Sequence, residues 1–141
     1  MRRTGAVAGG LGGHVWPGEL PADAKAACAA LSAEQTAIRV AGARRIVLVA
    51  HWLDLHAPLE HPDTEPTAVV PGSERYLPAG ADGTPLVAEF ACAELGALLG
   101  TSPISARLLQ AKVANLRHRH PVLYTRVCRG EVEDWKALET A

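Results

Sequence analysis

The sequence predicts an all-α fold: a helical bundle with one long helix, a proline- and glycine-rich acidic loop, and a helix-turn-helix-like hairpin. Three observations lead there. The chain has 141 residues and is 48% hydrophobic, which suits one packed domain rather than a disordered segment. Alanine carries much of the apolar share, and alanine favours helix while burying little area. Only Trp16, Trp52, Tyr76, Phe90, Tyr124 and Trp135 are aromatic, too few for the core of a β-sandwich or barrel.

The elements follow in order. Residues 1–21 are rich in glycine and proline and are expected to form a flexible tail. Residues 22–141 are expected to form the helical domain. Pro21 and Asp23 suit a helix start, with that helix reaching about Ala30. Ser32 and Gln35 have capping-box spacing, so a new, long helix is expected from Ala33 to about His56. Ile38, Ala41, Leu48, Trp52 and Leu55 form one apolar stripe on it. Ile46, Val49 and Leu53 form a second, so burial on more than one side is predicted.

Residues 57–83 break the pattern with five prolines and several glycines, and read as a long loop. Thr84-Pro85 predicts the next helix, with threonine as N-cap and proline at the first helical position, ending at Gly100. Ser102-Pro103 repeats that signal and predicts a helix to about Arg119. Pro121 interrupts it. A shorter helix to Arg129, a glycine stop at Gly130 and a last piece from Val132 to Ala141 complete the reading. No internal repeat of fixed period is visible.

Residues 84–119 have the layout of a helix-turn-helix. Gly96 is small where two helices would approach closely. Gly100 suits a turn that needs positive φ. Leu95, Leu99, Ala106 and Leu109 are apolar where the pair would pack. Ser102 offers a hydroxyl beside helix amides, a place for a phosphate. Against base readout, Ile104 and Leu108 fall on the face that would meet the groove.

The net charge of −1 conceals a segregation. From Arg107 to Arg129 there are six basic residues and no acid. From His51 to Glu94 there are eight acids and one arginine. The basic third suggests a polyanion partner or internal pairing with the acidic part. The residues expected to contact duplex DNA are Ser102, Arg107, Lys112, Arg117, Arg119, Arg126 and Arg129.

Several classes are set aside. Arg2-Arg3 precedes a glycine-rich run that does not resemble a secretory signal. No stretch is long and apolar enough for a membrane span. Cys28, Cys92 and Cys128 are odd in number and widely spaced, so neither a disulfide scaffold nor a zinc site is expected, and a reducing, cytoplasmic setting is. His118 and His120 are two residues apart and would leave a helix on different faces. His51 and Asp54 could pair, but with His56 and His61 they lack a convincing ligand spacing. No phosphate loop, dinucleotide fingerprint, nucleophile elbow or zinc-protease motif is present. No catalytic residue, metal or cofactor is therefore predicted.

Several separated blocks carry a resemblance. Ala50-His51-Trp52-Leu53-Asp54-Leu55-His56 precedes Gly83-Thr84-Pro85-Leu86-Val87-Ala88-Glu89-Phe90-Ala91. Ala93-Glu94-Leu95-Gly96-Ala97-Leu98-Leu99-Gly100, Ser102-Pro103 and Ala106-Arg107-Leu108-Leu109 follow. Then come Leu116-Arg117-His118-Arg119, Pro121, Gly130-Glu131-Val132 and Trp135-Lys136-Ala137. In this order they resemble the N-terminal part of the actinobacterial 13E12 repeat family, domain of unknown function 222, from about residue 33 onward. The resemblance implies a mostly helical domain of mobile-element-related proteins. In those proteins an HNH endonuclease module often follows a much longer helical region. His120 and Leu138-Glu139 depart from the family pattern. No family catalytic residue has a counterpart here, so the expectation is an incomplete, truncated and non-catalytic member. Its expected activity is salt-sensitive DNA binding. The alternatives are a protein-interaction or self-association helical module, and a remnant without function.

Overall fold

Helix formation begins where the sequence supplies a cap. In the computed structural model, which describes residues 18–59 and 72–141, the Ala26 N–H donates to Asp23 Oδ1 at 2.8 Å. This closes an open amide at the start of α1 (Ala24–Leu55). The predicted tail falls mostly on residues 1–17, outside the described residues. So does the middle of the predicted loop, residues 60–71, with Pro62, Pro66 and His61.

The expected break at Ser32 does not occur. Residues 24–31 are helix formers with no glycine or proline, so the helix runs through Ser32 unbroken. The chain divides into two units, Met1–Gln35 and Thr36–Ala141. In the first, the described residues are exposed or half-exposed. The second holds the core.

Among its described residues the second unit departs once from an all-helical plan. β1 (Tyr76–Pro78) and β2 (Leu86–Ala88) form an antiparallel hairpin, with Leu77 opposite Val87. Thr84-Pro85, expected to open a helix, instead closes this hairpin. Thr84 Oγ1 accepts from the Gly80 N–H at 2.9 Å and donates to the Ala81 carbonyl at 2.7 Å. The threonine and proline that can cap a helix serve equally in a turn. The helix therefore starts later, as α2 (Ala91–Leu99). The Arg75 guanidinium bonds Glu89 across the hairpin and holds that carboxyl below its usual range.

The remaining helices are α3 (Pro103–Arg119), α4 (Pro121–Cys128) and α5 (Asp134–Thr140). α3 matches its sequence reading at both ends. Its core side supplies Ala106, Val113 and Leu116. These pack with Ile46, Val49 and Ala50 of α1, Leu95 of α2, Val127 of α4 and Ala137 and Leu138 of α5. A smaller cluster joins Leu53, Ala114 and Ala91 to Ala79, Val87 and Ala88 of the hairpin.

One polar side chain fastens three parts of this unit. Asn115 Oδ1 accepts from the Ala81 N–H at 2.8 Å, and Asn115 Nδ2 donates to the Ala141 main-chain oxygen at 3.0 Å. Gly80 must lack a side chain here, because a Cβ would lie 2.8 Å from the Ala111 carbonyl. Substitution Asn115→Ala is expected to cost about 2 kcal/mol, since the Ala81 amide would lose its acceptor in a half-buried place. Urea denaturation followed by circular dichroism measures it. An unchanged midpoint would show that the bridge is dispensable.

Candidate interaction surface

The predicted hairpin exists as α2, a turn and α3. Gly100 takes φ +64°, and the Thr101 N–H donates to the Gly96 carbonyl at 2.9 Å. Glycine accepts that backbone without the clash a side chain would bring. At Gly96 a Cβ would lie 3.0 Å from the Thr101 carbonyl oxygen and 3.4 Å from the Ala106 Cβ. The close approach expected at Gly96 is thus present. Leu95 and Ala106 are buried as predicted and Leu109 is half-buried, whereas Leu99 stays exposed.

Ser102 is the N-cap of α3. Its Oγ accepts from the Ser105 N–H at 3.1 Å and donates to Ser105 Oγ at 3.0 Å. Ser102→Ala should destabilise the unit by about 1 kcal/mol. A thermal melt reads this directly, and an unchanged transition temperature would contradict the capping role.

The basic residues expected to contact DNA lie on several parts of the unit. Arg107 is exposed and stands close enough to Glu89 to help lower its pKa. Lys112 is half-buried on α3. Arg117 is committed internally: its Nη1 donates to both Asp54 carboxylate oxygens, at 2.9 and 2.7 Å, and to the Ala50 carbonyl at 3.3 Å. That pairing raises the Arg117 pKa. Asp54, which could pair with His51 by spacing, is thus taken by Arg117. Arg119 and Arg126 border a depression at the α3–α4 corner, where Arg126 Nε also donates to Glu131 at 3.2 Å. Arg129 lies elsewhere, beside Arg44 in a groove between α1 and α4. Part of the basic third therefore pairs internally, and the rest faces several directions.

The two predicted stripes of α1 also have different fates. Ile46, Val49 and Leu53 are buried, with Ala43 and Ala50 beside them. Ile38, Leu48 and Leu55 are 60–67% exposed, and Trp52 is half-buried. Burial on both sides was the expectation. Among the described residues of this unit, the short helices cover only one side.

The uncovered stripe adjoins the exposed end of α2. Together they form a groove of about 540 Å³ between the two helices. Val49 and Leu95 form its buried floor. Leu48, Leu55, Leu98 and Leu99 form its walls, and Trp52 stacks on His56 with ring centroids 4.1 Å apart. Arg44, Arg45 and His51 border it. Ile104 and Leu108 are exposed apolar residues as well, as the sequence suggested, and so is Trp135.

Among the described residues no group of three or more His, Cys, Asp or Glu could hold a metal ion. His56 instead bonds the Trp52 carbonyl through Nδ1 at 2.8 Å, and its Nε2 lies 3.7 Å from Glu94. Cys28, Cys92 and Cys128 are free thiols. Burial, and then the neighbouring Cys128, push the Tyr124 phenol above its ordinary pKa. No described helix is long and apolar enough to cross a membrane. No protein-family model, curated protein or solved structure matches the chain.

Proposed function

We propose that the chain acts by binding rather than by catalysis, as a helical module of the 13E12 repeat type that docks a helix in the α1–α2 groove. One observation carries this: leucines of two helices stand exposed along a single groove, while the neighbouring stripe of α1 is buried. Contiguous exposed apolar surface of this kind marks association sites. The test uses Trp52 as reporter, in the full chain with Trp16 and Trp135 changed to phenylalanine. The probe is a synthetic helical peptide with leucines at i, i+3 and i+7 and glutamine elsewhere. Saturable change in Trp52 emission is expected, weakened at least about tenfold by Leu98→Glu. Absence of any change up to millimolar peptide would reject the reading.

A second reading is binding to duplex DNA through Ser102, Arg107, Lys112, Arg119, Arg126 and Arg129. It is favoured by Lys112, Arg119 and Arg129, which make no ion pair among the described residues. Affinity for a duplex should then fall steeply with salt, by nearly one power of concentration per phosphate neutralised. Binding that is absent at low salt, or indifferent to salt, ends this reading.

A further inference from the structure

We infer that the α1–α2 groove selects an acidic amphipathic helix of another protein, an inference that rests on the docking reading above. The first argument is geometric. Ile38, Ala41, Arg45, Leu48, Trp52 and Leu55 follow one another at spacings of three and four along α1. Those five steps cover 17 residues, close to the 3.5-residue period at which one helix keeps a seam against another. The groove extends this seam sideways onto Leu98 of α2, so a helix laid along it meets apolar walls on both sides.

The second argument is charge. The polar groups bordering the groove are Arg44, Arg45 and His51, and no carboxylate lines it; Asp134 borders only the Ile38 end of the seam, where it is bonded to Arg45. Glu94, the acid that α2 carries, is directed to His56 instead. Asp54 is held by Arg117. Arg45 bonds Asp134 at 2.9 Å but keeps half its side chain exposed, so it can serve a second carboxylate. Carboxylates flanking the apolar stripe of an incoming helix would therefore meet arginines over an apolar floor. A second copy of the chain fits poorly. Pairing two such seams would set Arg44 and Arg45 of one copy against the same cluster of cations on the other. Duplex DNA fits poorly too, because a phosphate backbone gains nothing from the leucine walls.

The experiment compares three peptides with the same leucine stripe, flanked by glutamate, glutamine or lysine, using the Trp52 reporter. The glutamate peptide should bind about tenfold tighter than the glutamine one, the worth of two exposed ion pairs, and the lysine peptide more weakly still. Arg44→Glu should reverse the order of the glutamate and lysine peptides, with the circular dichroism spectrum unchanged. Equal binding of all three would overturn charge selection while leaving docking intact. Failure of all three would remove the docking reading itself. Sedimentation equilibrium on the chain alone completes the test. A dimer that Leu98→Glu dissolves would make a second copy the occupant and overturn the proposal. A monomer with the predicted peptide order supports it.

Discussion

Replacing Leu116 with alanine is expected to cost about 3 kcal/mol of stability. Leu116 is fully buried on α3 and belongs to a cluster that α1 to α5 share. Its neighbours in that cluster include Val113 and Val127, which are equally buried, so the space left behind has rigid walls. Cavities of this kind add a packing penalty to the lost transfer free energy. Against a total stability of roughly 5–15 kcal/mol for a typical domain, the loss is large. Urea unfolding followed at 222 nm measures it. A loss below about 1 kcal/mol would mean that the helices can close over the gap.

The second large effect is expected from Gly96→Val. Alanine alone would bring a Cβ to 3.0 Å from the Thr101 carbonyl, which is backbone and held by its own turn. Valine adds two methyl groups in the same place, where α2 meets α3. An overpacking cost of about 3 kcal/mol is expected for valine, and about 1 kcal/mol for alanine. The effect has a functional signature as well. Pushing α2 away from α3 displaces Leu98 and Leu99, so peptide binding in the groove should weaken along with stability. Valine tolerated at wild-type stability would show that the hairpin is loosely packed.

Much of this architecture was legible because local signals decided it. Ser102-Pro103 opens α3, Pro121 separates it from α4, and Gly100 and Gly130 both take positive φ at helix ends. Gly96 read correctly because the reason for its smallness lies a few residues away, at Thr101 and Ala106. Where two local signals were degenerate, the reading failed. Thr84-Pro85 suits a helix start and a turn alike, and only pairing with Tyr76–Pro78 selects the turn. Ser32 can cap a helix, but it also sits inside one at small cost when good helix formers precede it.

The candidate surface was half legible. Spacing alone separated the two stripes of α1, yet it could not say which one the rest of the chain covers. That depends on α2 to α5, more than thirty residues further on. The same distance hid the fate of the charges. Arg117 meets Asp54 across a sequence separation of 63, and Asn115 meets Ala81 across 34. Net charge and its segregation therefore left a polyanion partner and internal pairing both open. Pairwise geometry pairs Arg117 with Asp54 and turns the other cations of that third in several directions, while the cations at the apolar groove, Arg44 and Arg45, belong to α1.

Methyl-detected NMR of the full chain, titrated in parallel with the glutamine-flanked peptide and with a DNA duplex, tests docking in the groove most directly. Peptide-induced shifts are predicted at Leu48, Leu55, Leu98 and Leu99, with the exposed methyls of Ile104 and Val122 unmoved. Shifts that appear only with DNA, or that centre on the α3–α4 corner around Val122 and Leu123, would contradict it.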